Sequence, residues 1–362
     1  MLAQAGYDVH YNIPEQLCHL AKGSSHVYPL TERFLDLIDG PDARLVMGRG
    51  SRWAKAKAMW NLYRQGLDIN KVLIQQQEEV VQAINPDLIV FHSKCFYPLL
   101  WHLATDKRIV LLTPVPFLIH AVDSYPHIGF TQSMGKTINR WTYGLIRTAI
   151  AYSIKRSQGD ISLGKRYGSR RIKQAMLTQP LAYAVSPTLV PRPADWPSNT
   201  QVVGYHYRSS SADWQAPAGL ASFLDRHDQV LFLTFGSMIN DDPQVISDIL
   251  YSVLTDLEIP TIVNCADGGL VEIDTYANQR NFYFVEGIPY SWLLPQVDAM
   301  ICHGGAGTTH QALLHGLPTM IVPHIMDQHV WAQLVHNLGA GTQGLPLTKI
   351  RSQSLEVQVQ DL

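Results

Sequence analysis

At 362 residues the chain is long enough for two domains, each with a sizeable core. Apolar residues make up 46% and charged residues 16%, which excludes a disordered chain. The net charge of −2 points to no class of partner, and no nucleic acid is expected.

In chain order, short β-branched runs alternate with segments of helical period, the pattern of an α/β protein with parallel sheets. The spacing predicts a helix over Ile69–Ile84, then buried strands at Asp87–His92 and Arg108–Val115. Residues Pro187 to Pro217 are rich in Pro, Ser and Trp without sustained period and read as a connection. A boundary near residue 210 follows, separating one open α/β unit, 1–210, from a second, 211–362. In that second unit, strands are predicted at Gln229–Gly236, Pro260–Cys265, Asn281–Val285, Ala299–Cys302 and Thr319–Pro323. Helices fall at Pro243–Leu257, Thr308–His315 and Asp327–Leu338. Cys18, Cys95, Cys265 and Cys302 lack the spacing of a zinc site or a disulfide framework, which suits a reducing cytosolic compartment. The longest apolar run, Ile109–Ile119, is 11 residues and is broken by Pro114 and Pro116, too short to span a bilayer. No signal peptide is expected at the opening residues.

Charge is unevenly placed. Lys136 to Lys173 carries ten Lys/Arg and one acid, Asp160, a local net of +9, interleaved with Trp141, Tyr143, Leu145, Ile146 and Tyr152. A solvated surface helix accounts for this composition. So does a face that touches anionic lipid, which would place the protein peripherally on the inner face of a membrane.

The segment richest in chemistry begins at Ala299 and runs through His303-Gly-Gly-Ala-Gly-Thr-Thr309. An apolar strand enters three glycines and two threonines and then a helical pattern. Glycines let the backbone approach an anion, and a new helix N-terminus aims unpaired N–H groups at it. His303, Thr308 and Thr309 add side-chain donors, so a phosphate or diphosphate is the expected ligand. A P-loop requires a lysine that is absent here. The dinucleotide fingerprint has a different spacing and belongs to the first βα turn. A glycine turn serving only tight packing is the structural alternative. A second strand, Leu231–Phe235, ends in Gly236-Ser237, and both turns can face one crevice at the carboxyl ends of a parallel sheet. Downstream, Asp327-Gln328 opens a helix. Asp327 there can be an N-cap, but an acceptor beside an amide also matches the hydroxyls of a sugar.

Together, Val285-Glu-Gly-Ile-Pro289-Tyr-Ser-Trp292-Leu-Leu-Pro295, the His303–Thr309 loop and Pro323 with Asp327-Gln328 resemble the donor-site signature of the GT-B UDP-glycosyltransferase superfamily. Within it the chain is most similar to sterol glucosyltransferases and to bacterial macrolide and aglycone glycosyltransferases. Tyr183–Pro187, Trp196-Pro197 and Val203-Gly-Tyr205 resemble the end of the N-terminal domain in the sterol branch. The resemblance implies two Rossmann-like parallel-sheet domains facing across a cleft. It implies phosphate contacts at Gly236 and Ser237, a diphosphate cradle at His303, Gly305, Gly307 and Thr308, a base-holding backbone at Ile288 and Pro289, and sugar contacts from Asp327 and Gln328. Departures are Cys302 where many relatives have a second His, and Gln311 where some plant relatives have a ribose-holding Glu. Met1–Val9 resembles the helix end and second strand that follow the family's catalytic loop, and Leu362 falls inside what resembles a late helix. A chain shortened at both ends is therefore expected.

The implied reaction is a single inverting displacement that moves a hexose, glucose from UDP-glucose first, to a hydroxyl of an apolar acceptor such as a sterol, lipid or polyketide. The cradle would stabilise the departing diphosphate without a metal ion, and no other cofactor is expected. No residue is assigned as catalytic base; His92, His120 and His127 lie at or after strand ends in the acceptor half. An inactive nucleotide-sugar-binding chain is the alternative, and a sugar-nucleotide epimerase is the third reading.

Overall fold

The computed structural model describes residues 2–362 apart from 22, 35–36, 38–39, 48–50, 160, 208–213, 241 and 266–267. The expected boundary near 210, and Asp160, lie outside the described residues. Among the described residues three sheets form, and every strand pair in them is parallel. β1 (Tyr11–Pro14) pairs with β2 (Val27–Leu30) alone. The second sheet has the order β3 (Leu88–Phe91), β4 (Arg108–Thr113), β5 (Leu181–Tyr183), β6 (Thr200–Val202). The third has five strands in the order β11-β10-β7-β8-β9, formed by β7 (Leu231–Thr234), β8 (Thr261–Asn264), β9 (Phe282–Val285), β10 (Ala299–Cys302) and β11 (Thr319–Ile321).

The five-strand sheet is covered on both faces, as continuous apolar strands require. Side chains alternate across it. Phe232, Ile262, Met300 and Ile321 enter one core, and Leu231, Leu233, Val263, Ile301 and Met320 enter another. The first core holds the helices Ala306–Leu314 and Gln328–Asn337 through Ala312, Val330 and Trp331, and continues into the N-terminal half at Tyr125, Val190 and Trp196. The second is closed by Pro243–Asp256 and Ser352–Gln360 through Ile246, Leu250, Leu254, Leu355 and Val359. Phe232 is fully buried, so Phe232→Ala would open a cavity costing about 3–5 kcal/mol.

Pro243 sits at the first helical position, and the preceding Asp242 carboxylate accepts from Val245 N–H at 3.4 Å. Start and direction of that helix are thus written locally.

Most predicted elements in the second half match within two residues. In the first half the predicted helix is only the C-terminal part of a longer one, Arg52–Ile84, capped by Ser51 Oγ accepting from Ala54 N–H at 3.2 Å. Its early turns expose Trp53, Met59 and Trp60, so they carry no core periodicity. β6 falls inside the stretch read as a connection; at three residues it is too short for a period. The opening segment forms a 3₁₀ turn at Ala3–Ala5, and its strand starts only at Tyr11, where Tyr11 N–H meets His26 C=O at 2.8 Å.

Candidate donor site

Strand order locates the crevice. From β7 the chain proceeds outward to β8 and β9, then returns to place β10 on the other side of β7. The carboxyl ends of β7 and β10 therefore flank a topological switch point, where open parallel sheets bind ligands. Thr234 and Cys302 are register partners, so Gly236 and His303 emerge side by side.

The two turns interlock. A Cβ on Gly236, whose φ is +55°, would stand 2.8 Å from His303 Cε1, and one on Gly305 would stand 2.5 Å from His303 Nε2. The imidazole is thus clamped between the two glycine turns, with no room for a methyl group on either side. A Cβ on Gly304 would meet Ile321 Cγ2 at 2.5 Å, which pins the loop against β11. Gly305 caps the helix Ala306–Leu314 without a side-chain bond, so no side chain at the cap satisfies its first N–H groups.

His303 is buried, and its Nδ1 has no protein partner. Burial pushes its pKa down to about 4, so the ring is neutral at pH 7 and has one N–H to donate. Thr308 is half-buried at the rim, near the Tyr290 hydroxyl, which reaches Thr234 Oγ1 at 3.4 Å. Thr309, by contrast, points inward, fully buried. Ser237 is exposed beside the loop. Ile288, buried, and Pro289 follow β9 and lead into the turn Tyr290–Leu293, while Gly287 N–H is held by Asn264 Oδ1 at 3.0 Å.

Asp327 and Gln328 begin the helix behind β11. Asp327 makes no side-chain cap; its Oδ2 accepts from Trp331 Nε1–H at 3.0 Å, and burial raises its pKa. Across the crevice, the charge of Lys94, just after β3, attracts it. Gln328 is buried, and its Oε1 accepts from the N–H groups of His324 (2.7 Å) and Ile325 (3.0 Å), holding the turn before the helix. Much of its hydrogen-bonding capacity is therefore spent on shape. Its Nε2 lies 3.3 Å from Met238 Sδ.

Four residues join the site without a sequence assignment. His324 lies near His303; its Nδ1 bonds Val322 C=O at 2.8 Å, and burial lowers its pKa to about 4. His310 donates from Nδ1 to Ala306 C=O at 2.6 Å and accepts at Nε2 from Ser186 N–H at 2.9 Å, joining the cradle helix to the N-terminal half. Tyr205 stacks on His310 with ring centroids 4.4 Å apart, and its hydroxyl lies 2.9 Å from where a Gly307 Cβ would be. Lys94 is the fourth. Only Tyr205 had a signal, as the end of the Val203-Gly-Tyr205 motif.

Of the acceptor-half histidines, His127 spends both nitrogens, on Leu118 C=O and Gly129 N–H. His120 is buried against Trp196. His92 stands exposed after β3. Two cavities between the halves, of about 610 and 510 Å³, involve Ser186, His310 and Leu314, and Phe117, Tyr125 and Leu334. Neither includes Gly236, Ser237, His303, Thr308, Asp327 or Gln328; His310, on the helix Ala306–Leu314, lines the first.

Residues 261–362 match the family described as "Erythromycin biosynthesis protein CIII-like, C-terminal domain". A sterol 3-beta-glucosyltransferase of Arabidopsis thaliana is 35% identical over 180 residues, covering 50% of this chain and 29% of that protein. Half of the chain is thus similar to a sterol glucosyltransferase, and residues 261–362 to a domain of the erythromycin CIII type. It spans less than a third of the length of the curated relatives it matches. The GT-B fold extends over the whole chain. The kitacinnamycin glycotransferase superposes with a TM-score of 0.70 at 15% identity, covering 100% of this chain and 84% of that one. The glycosyltransferase SsfS6 of Streptomyces sp. SF2575, complexed with thymidine diphosphate, gives a TM-score of 0.59 at 16% identity, covering 99% and 84%.

Proposed function

We propose that the chain transfers a hexose from a nucleoside-diphosphate sugar to a hydroxyl of an apolar acceptor, a sterol, lipid or polyketide, with inversion. The observation that carries the reading is the clamp on His303 at the switch point, with an unpaired buried ring nitrogen beside an uncapped helix N-terminus. Buried polar atoms are ordinarily paired, and a diphosphate supplies the partner. As the sugar–phosphate bond breaks, charge gathers on the leaving diphosphate. The helix N-terminus, the His303 N–H and the Thr308 hydroxyl are fixed in advance to receive it. This stabilisation calls for no metal ion. UDP-glucose is the first donor to try, because the sterol relatives are named glucosyltransferases; a TDP-deoxysugar is second, given the diphosphate in the SsfS6 complex.

Radiolabelled donor distinguishes transfer or hydrolysis from binding alone. Transfer to a sterol or polyketide alcohol supports the enzyme reading. Tight donor binding with neither transfer nor hydrolysis supports a binding-only chain. That second reading is favoured by the commitment of His120 and His127 to the interior, which removes two candidate bases.

The basic segment supports a membrane surface in part. On the helix Lys136–Ser157, Ile138, Trp141, Leu145 and Tyr152 are all exposed, at helical spacings of three, four and seven residues. Lys136 and Arg140, however, pair with Asp123, and Arg147 donates to Ile119 C=O. The proposed contact therefore rests on the apolar stripe more than on net charge, with the protein peripheral to an anionic inner leaflet. Co-sedimentation with anionic vesicles that Trp141→Ala weakens is the expected result; equal recovery with neutral and anionic lipid at low salt removes the claim.

A further inference from the structure

The amino ends of β1 and β2 gather Asp8, His10 and His26. The pattern behind this is simple. Asp8 and His10 are two residues apart in extended chain and share a face. The register Tyr11↔Val27 makes His10 and His26 neighbours one step before the ladder. Their rings stack with centroids 4.4 Å apart and 26° between planes. Asp8 bridges them: Oδ2 lies 3.1 Å from His10 Nε2, and Oδ1 lies 3.8 Å from His26 Nε2.

We propose that these three side chains bind one divalent transition-metal ion of the zinc type, joining β1 to β2. Two imidazoles and a carboxylate are a common ligand set for that ion, with bonds of about 2.0–2.2 Å. In a tetrahedral site such bonds hold ligand atoms about 3.3 Å apart. Here all three candidate atoms lie within 4.8 Å of one another, so rotations of about 1 Å complete the set. A second feature fits a metal-bound histidine. His10 Nδ1 lies 3.2 Å from the Tyr28 hydroxyl, a partner that keeps Nε2 turned toward the ion. Asp8 is 76% exposed and His26 45%, which leaves a fourth position open to water.

The location gives the ion a task. A two-stranded sheet is marginal on its own, and the small cluster beside β2 is Leu30, Ile69 and Leu73. A metal bridge between the strand starts would strengthen that element. It lies at the end of the strands opposite to their carboxyl ends, so it does not depend on the donor site.

The test uses the full chain, freed of metal by a chelator and titrated with zinc by calorimetry and with cobalt by absorption. One ion per chain is expected, with the more intense ligand-field bands of a low-coordinate site. H10A/H26A should weaken the tightest zinc binding at least tenfold, and Asp8→Asn should weaken it less. Zinc should raise the Tm of the parent chain and not of the double variant, whose far-UV circular dichroism should stay unchanged. The chain has 15 histidines, so binding elsewhere is the background. Equal zinc affinity in parent and double variant, or no uptake by the parent, overturns the site and leaves a plain His–Asp contact. Should the double variant lose its fold, Asp8→Asn and H26Q decide by the same titration.

Discussion

Gly305→Ala is the sharpest probe of the clamp. Gly305 has φ −66° and ψ 147°, backbone that alanine adopts freely, so the substitution costs little in conformation. Its methyl carbon would lie 2.5 Å from His303 Nε2, about 0.9 Å inside ordinary contact at 3.4 Å. The ring cannot retreat, because on its other side the Gly236 turn is already as close as a glycine permits. His303 must therefore rotate out of line and lose its bond to phosphate. A hydrogen bond to a charged acceptor contributes about 1–3 kcal/mol, so UDP affinity should fall about 5- to 150-fold by calorimetry. Gly316→Ala is the control. It carries φ +70° in open space, so it should lower stability by about 1–2 kcal/mol and leave affinity alone. A double-mutant cycle completes the assay: with His303→Ala already present, adding Gly305→Ala should cost little more, because the obstructed ring is gone. Unchanged UDP affinity in Gly305→Ala, or strict additivity in the cycle, would refute the clamp.

Other outcomes follow from the same geometry. His303→Ala and Thr308→Val should each weaken UDP binding by about 1–3 kcal/mol with the fold intact; unchanged titrations in both would defeat the cradle. Asp327→Asn keeps an acceptor for Trp331 Nε1–H while removing charge, and should reduce UDP-sugar affinity and spare UDP; equal losses would show that Asp327 does not read the sugar. Gln328→Ala should do the same and also lower Tm, since it releases the N–H groups of His324 and Ile325. Burial lowers the pKa of His127, His303 and His324 from 6.5 to about 4. Stability from their neutral forms is then present above pH 6.5 and lost as pH falls toward 4. Urea midpoints should drop across that window, and a flat profile would contradict it.

The sequence made most legible the strands buried on both faces. β7, β8, β10 and β11 are mostly apolar and buried almost throughout, because helices cover them on each side. β6 lies in a stretch rich in Pro and Ser, and β1 and β2 carry Pro14 and Pro29. The glycine spacing marked both turns at the ends of β7 and β10. It could not reveal that they close on one imidazole, which depends on the pairing of Thr234 with Cys302. Nor could it reveal the bond from Ser186 to His310, 124 residues apart, or the pull of Lys94 on Asp327. Composition made the basic segment conspicuous, but only the fold showed that its first charges are spent on Asp123 and Asp195.

The His310 bridge sets a rule for building chimaeras from this fold. A recombination point placed after Tyr207 and before Trp214 would look natural. It would separate His310 from Ser186, Tyr205 and Tyr207, all of which touch it or its carbonyl. A transplanted C-terminal half would then arrive with its cradle helix missing a hydrogen bond and a stacking partner. Crossing over before Ser186 keeps the joint in one piece, and the segment from Ser186 to Tyr207 should be inherited with the donor half rather than with the sheet it follows.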